Sequence, residues 1–222
     1  KLTDDEAEFL KTKLINPRTT TIAYDGLAFV INRKNRDSLL TYNQVKDIFL
    51  GKTSKWNQIT PSNRSGNITV VFDNNKSSSV RFIREQFAIK DSLPPYCLAA
   101  ERNEEVINFV ERNVNALGVV AVNWISDTAD SLTRGFLNRV TVVGLTSQYD
   151  TEGISFYKPY QAYIADKTYP LVREVYAINR ETFTGLGTGF IKYISMEGQR
   201  IVLKMGMVPA TMPVRVVHAP SE

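Results

Sequence analysis

Ile68-Thr69-Val70-Val71-Phe72-Asp73-Asn74-Asn75-Lys76-Ser77-Ser78-Ser79-Val80-Arg81-Phe82-Ile83-Arg84-Glu85-Gln86-Phe87 is the most informative stretch of this 222-residue chain. Its first five residues are all β-branched or aromatic and read as a buried strand. At its far end Val80, Ile83 and Phe87 fall at i, i+3 and i+7, which predicts one apolar face of a helix. Residues 74–79 form the polar loop between them. A strand running through a loop into an amphipathic helix is the unit of an α/β fold. The first backbone N–H groups of such a helix lack intrahelical partners, and the macrodipole places roughly half a positive charge there. The hydroxyls of Ser77, Ser78 and Ser79 are placed to donate to a tetrahedral anion, and Arg81 lies in the first turn. The same residues also admit a plain reading: one serine caps the helix, the others solubilise the loop, and Lys76 and Arg81 belong to a solvated face.

The flanking segments repeat the alternation. Thr3-x-x-Glu6 and Thr41-x-x-Gln44 are capping boxes. The first opens a helix with Phe9, Leu10 and Leu14 on its apolar face, stopped by Asn16-Pro17. The second opens a helix over 42–50, with Val45, Ile48 and Phe49 inside and Gly51 at its end. Residues 21–31 are rich in β-formers, and Asp25-Gly26 reads as a turn that leaves a strand over 27–31. Val106, Phe109, Val110 and Val114 predict a helix over 103–116 closed by Gly118. Further strands are expected over 118–125, 140–143 and 172–179, and helical periodicity over 188–205 with a break near Gly198. Gly185-Leu186-Gly187-Thr188-Gly189 lacks the x-x-G spacing of a dinucleotide loop and reads as a flexible lead into that last helix. The pattern predicts α/β architecture with mixed, largely parallel sheets. Without a long linker, any division into two lobes must come from the chain crossing between them.

Composition narrows the chemistry. The 27 basic and 23 acidic residues give a net charge of +4, scattered along the chain with no nucleic-acid stripe. Cys97 is the only cysteine and reads as a small core residue; His218 is the only histidine and lies near the C-terminus. No disulfide within the chain, cysteine metal cluster, Ser–His–Asp triad or histidine base can be assembled, and no cofactor motif is present, although carboxylate-only mechanisms survive. No apolar run approaches the ~20 residues of a transmembrane helix.

Taken together, several segments resemble the phosphate-binding proteins of ABC transporters. The resemblance runs in order through Ile22-Ala23-Tyr24-Asp25-Gly26-Leu27-Ala28; Ile48-Phe49-Leu50-Gly51-Lys52 with Lys55-Trp56-Asn57; and the strand–loop–helix segment over 70–81. It continues through Gly118-Val119-Val120-Ala121-Val122-Asn123; Tyr169-Pro170-Leu171-Val172-Arg173; and Phe190-Ile191-Lys192-Tyr193-Ile194 with Glu197-Gly198-Gln199 and Gly206-Met207-Val208-Pro209. The resemblance implies a periplasmic-binding-protein type II fold, with two α/β lobes joined by crossing strands. Lobe one would comprise 1–31 and 170–222, and lobe two 32–169. It implies an extracytoplasmic, non-enzymatic receptor, a monomer, that takes inorganic phosphate and delivers it to a membrane permease. Ser77 and Ser79 correspond to hydroxyls of the family's Ser-Gly-Thr anion loop, and Ser78 stands in place of its glycine. Asp73 stands where many relatives carry an anion-binding arginine, so Arg81 is expected to supply the charge; Lys76 replaces a further glycine.

Leu2-Thr3-Asp4-Asp5-Glu6 resembles the end of a segment that the family carries further along its chain. Lobe one is therefore expected to be incomplete at its N-terminus, with a signal or lipoprotein sequence and half of the ligand shell encoded upstream. Receptors for sulfate or molybdate, a ligand-sensing domain and a phosphate-ester enzyme are the alternatives.

Overall fold

The computed structural model describes residues 2–61, 66–74, 77–126, 135–150 and 152–214; Lys76 and His218 lie outside these residues. In chain order the elements are α1 (Asp4–Thr12), β1 (Arg18–Asn32), β2 (Leu39–Leu40), α2 (Tyr42–Phe49), β3 (Thr69–Phe72), α3 (Ser78–Gln86), β4 (Cys97–Ala99), α4 (Asn103–Arg112) and β5 (Ala116–Ala121). They are followed by α5 (Asn123–Ser126), β6 (Val140–Val142), β7 (Gly144–Thr146), β8 (Phe156–Tyr157), α6 (Gln161–Ala165), β9 (Val172–Asn179), α7 (Leu186–Ser195), α8 (Gln199–Lys204) and β10 (Val208–Pro209).

The 15-residue strand β1 organises the molecule. Its first part, over 18–26, pairs antiparallel with β9, and Ala23 and Tyr24 also pair with β10. Its second part, over 27–32, pairs antiparallel with β5 and β6. The turn expected at Asp25-Gly26 is absent: both residues lie in the ladder, opposite Arg173 and Val172. Close approach explains the glycine, because a Cβ at 26 would stand 2.7 Å from Val122 and 2.9 Å from Ile164. Where β1 changes partners it is tied to the returning chain, with the Leu27 N–H donating to Leu171 O at 2.9 Å and the Tyr169 hydroxyl to Leu27 O at 2.7 Å. The lobe boundary expected after Ile31 falls inside the pairing of β1 with β5 and β6.

β3 lies between β4 and β5, parallel to both, and β2 pairs parallel with β7. Among the described residues the other ladders are antiparallel, so the sheets are mixed without being largely parallel. The long β1, antiparallel to all four of its partners, is the reason.

The core gathers around the second half of β1. Residues 27–31 are wholly buried against Val70, Val71 and Phe72 of β3 and Leu117, Val119 and Val120 of β5. Helix α2 adds Ile48 and Phe49, and α4 adds Val106 and Val110. Both expected capping boxes form, at Thr3/Glu6 and Thr41/Gln44. Helix α4 stops at Arg112, short of the expected Ala116, because Asn113 turns extended and Ala116 already pairs with Thr69. Gly118 therefore lies within a strand, where a Cβ would meet Val110 at 2.7 Å and Val30 at 2.8 Å. Trp56 is fully buried, and its indole N–H donates to Asn115 O at 3.1 Å.

The elements around the first half of β1 are packed differently. Neither α1, β9 nor α7 contains a buried residue. Phe9, Phe183, Leu186, Phe190 and Tyr193 are exposed. Leu14, expected on the inner face of α1, lies past the helix end in left-handed backbone, with φ 55, and is also exposed.

Candidate functional site

Helix α3 begins as its sequence predicts. Ser77 takes extended backbone (φ −68, ψ 156), and its hydroxyl oxygen accepts the Val80 N–H at 3.2 Å, making it the N-cap. The Arg81 N–H makes the first turn's bond to Ser77 O at 3.2 Å. The amides of Ser78 and Ser79 precede that bond and have no helical acceptor. Ser77 and Ser79 are buried and Ser78 is exposed.

The structure separates the three hydroxyls. Ser78 borders a cleft of about 750 Å³ whose walls include Thr3 of the α1 cap, Arg81 and Glu85 of α3, and Arg173 and Tyr176 of β9. Ser77 borders the adjoining groove with Arg81 and Arg84, and Ser79 lines neither. Arg81, the expected source of positive charge, is exposed on the rim of both hollows, and its charge helps lower the pKa of Glu6, behind the Thr3 hydrogen bonds. At the end of β3, Asp73 keeps one buried carboxylate oxygen, Oδ1, without a hydrogen-bond partner.

Two residues at this site escaped the sequence reading. Arg173 donates from Nε and Nη2 to Asp25 Oδ2 at 3.0 and 2.7 Å, and from Nη1 to Ser78 Oγ at 3.0 Å. A single guanidinium therefore links β1, β9 and the first turn of α3. The side chains of Asp25 and Arg173 are 5% and 16% exposed. Burial pushes Asp25 above the usual carboxylate range, against the pull of Arg173 and of the Gly26 and Val122 N–H groups. Asp25 Oδ1 has no hydrogen-bond partner. The pair spans 148 positions of sequence, and only the register of β1 against β9 could have revealed it. Reading Asp25-Gly26 as a turn hid that register.

Carboxylates also line this cleft. Asp4, Glu85 and Glu174 border it. The Tyr176 hydroxyl donates to Glu174, and burial, with the Glu174 and Glu85 carboxylates, raises the Tyr176 pKa to about 12. The cations on the cleft are Arg173, which meets Ser78, and Arg81 on the rim. No group of three or more His, Cys, Asp or Glu side chains placed to hold a metal occurs among the described residues. Cys97, in β4, is half-buried, and burial raises its thiol to about 12.

The glycine-rich segment at 185–189 leads into α7, with Gly185 as its N-cap. Glu181 fills the helix start: its carboxylate accepts the Gly187 and Thr188 N–H groups at 2.9 and 2.8 Å and the Thr188 hydroxyl at 2.8 Å. A Cβ on Gly185 would stand 2.8 Å from Glu181 Oε1, so the glycine makes room for the carboxylate.

A family model described as the PBP superfamily domain matches residues 1–197. The phosphate-binding protein PstS of Staphylococcus epidermidis is 28% identical over 134 residues, which cover 58% of this chain and 39% of that protein. The chain thus spans about two fifths of the length of this relative. Among solved structures, a protein of Clostridium perfringens assigned as a phosphate ABC transporter substrate-binding protein, with bound phosphate, superposes with a TM-score of 0.72 at 23% identity. The match covers 95% of this chain and 76% of that one. An ABC-type phosphate transport receptor of Vibrio cholerae gives a TM-score of 0.68 at 21% identity, over 96% and 77% of the two chains. At these identities the likeness is one of fold, and it establishes the type II architecture expected from the sequence.

Proposed function

The chain belongs to the PBP superfamily, and from that premise we propose that it is part of a receptor that captures inorganic phosphate and delivers it to the permease of an ABC transporter. The observation that carries this reading is the start of α3. Two backbone amides without helical acceptors, the exposed hydroxyl of Ser78 and the positive end of the helix dipole lie together there, joined to the crossing strands through Arg173, with Ser77 capping the helix beside them. The names of the relatives, which are phosphate-binding proteins, support the choice of ligand. Binding of this kind replaces the anion's hydration with fixed donors and makes no covalent bond.

In this account the lobes change where β1 changes partners, at 25–27, and where the chain returns, at 169–173. The anion lies between the start of α3 and polypeptide of the other lobe. The elements that lack buried residues, α1, β9 and α7, form the open side of lobe one. The protein acts as a monomer in an extracytoplasmic compartment, held there by a lipid anchor or free. Among the described residues no helix is long and apolar enough to cross a membrane.

The test is a calorimetric titration of phosphate into the complete mature gene product, with sulfate in large excess. Sulfate-insensitive saturation at one site per chain is expected. No heat, or heat abolished by sulfate, assigns the fold to another oxyanion or to another task. Turnover of a chromogenic phosphate ester would move the protein into the enzymes.

A further inference from the structure

We propose that Arg173 is a ligand-contacting residue of the anion site, supplying from crossing strand β9 the guanidinium that the loop leading into α3 does not carry at Asp73. This rests on the phosphate reading above and names the cation of that site. Three observations converge on it. The first is geometry: Nη1 of Arg173 already reaches the first turn of α3, at 3.0 Å from Ser78 Oγ, beside the amides that have no helical acceptor.

The second is orientation. Asp25 accepts from both Nε and Nη2, which fixes the plane of the guanidinium and leaves the Nη1 edge directed at the helix start. Asp25 is thus a positioning residue, and its burial places the pair where solvent screens it little. The third is charge. A guanidinium held against the N-terminus of a helix sets a full positive charge beside the partial positive charge of the dipole. Asp25 offsets that charge and leaves an ion pair whose positive end faces the helix start. An anion between Arg173 and the Ser78 and Ser79 amides would be attracted by both, and the Ser78 hydroxyl now holds the Nη1 donor that such an anion would accept. Arg81 is exposed on the rim, with Glu85 beside it and Glu6 within reach of its charge, and among the described residues no side-chain bond holds it as Asp25 holds Arg173.

The charged and titratable groups that surround the guanidinium are Asp25 on β1, Arg81 and Glu85 on α3, Glu174 and Tyr176 on β9, and Asp4 on α1. Their charges are shared by all the variants below except at the positions changed. The neutral double variant D25N/R173Q leaves no buried charge behind, and R173K keeps the charge without the fork.

Calorimetric phosphate titrations of the complete mature protein and of both variants, with thermal melts without ligand, test the proposal. D25N/R173Q is expected to fold and to bind phosphate about ten- to hundredfold more weakly than wild type. The loss should be larger where phosphate is the dianion than where it is the monoanion, a dependence that a merely structural pair would not produce. R173K should fall between the two. A folded D25N/R173Q that binds within about twofold of wild type at both pH values overturns the assignment while leaving the phosphate receptor intact. Wild-type protein that binds no phosphate overturns the receptor reading and this inference together. Should the double variant not fold, R173K decides: affinity equal to wild type, with the same pH profile, counts against direct contact by the fork.

Discussion

Helices α3 and α7 both begin with small residues, and both offer backbone amides without helical acceptors, yet they end up in opposite electrostatic states. At α7 the chain supplies its own anion. Glu181 reaches back to the Gly187 and Thr188 amides, and its pKa is held down at about 2, chiefly by those two bonds. At α3 the capping group is the neutral hydroxyl of Ser77, and the cation of Arg173 is hydrogen-bonded to the first turn. A helix start already filled by a carboxylate has little to offer a dissolved anion. One met by a guanidinium attracts one. The difference separates two helix starts that are both built from small residues, the glycine-rich stretch at 185–189 and the serine run at 77–79.

That contrast can be broken at several points. Removing both buried hydroxyls, with S77A/S79A, should have the largest effect. Phosphate affinity should fall by several kcal/mol if each hydroxyl donates a charge-assisted bond worth about 1.5–3 kcal/mol. E181Q, at the other helix start, should leave phosphate affinity unchanged. Equal losses from the two variants, measured by calorimetry, would erase the distinction.

S77A alone also removes the N-cap of α3. Destabilisation of about 1 kcal/mol is expected, read as a lower denaturation midpoint with an unchanged m-value. Exposed Arg81 sharpens the comparison from the other side. R81Q should alter phosphate affinity by less than about 1 kcal/mol, and the difference should fade as salt is added. A larger, salt-resistant loss would place Arg81 in contact with the ligand.

The smallest effect is one of pH. The Glu181 pKa is lowered from 4.5 to about 2, so this group stabilises the fold above the unfolded pKa, and that contribution is lost as pH falls through the window between the two values. Asp25, raised by burial, has the reverse sign: its contribution is present below 3.8 and is lost as pH rises through its folded value. Denaturation curves of wild type and E181Q should therefore converge at the acid end of the Glu181 window. A difference independent of pH would mean that Glu181 caps α7 without its charge.

What the sequence discloses follows from the range of the interactions involved. The capping boxes at Thr3 and Thr41, the N-cap at Ser77 and strand β9 act within a few residues, so spacing alone located them. The chain's alternation of strand and helix led to the fold class. Spacing failed where a glycine served close packing rather than a turn or a helix end. Gly26 and Gly118 both lie in strands, because a side chain there would strike Val122 or Val110. The apolar face of α1 was legible, but its burial was not, since a pattern cannot say whether a partner surface is present. In the candidate site, the serines that line the helix start could be named from the loop itself. Arg173 and Asp25 could not, because they meet only through a strand register set by residues far apart in sequence.

The most direct test of the account is to follow the backbone amides of both helix starts by 15N–1H correlation spectroscopy while phosphate is added to the complete mature protein. The account predicts that the Ser78 and Ser79 amides shift and saturate together, while those of Gly187 and Thr188 stay where they are. Shifts at Gly187 and Thr188, or saturable binding that leaves Ser78 and Ser79 unmoved, would contradict it.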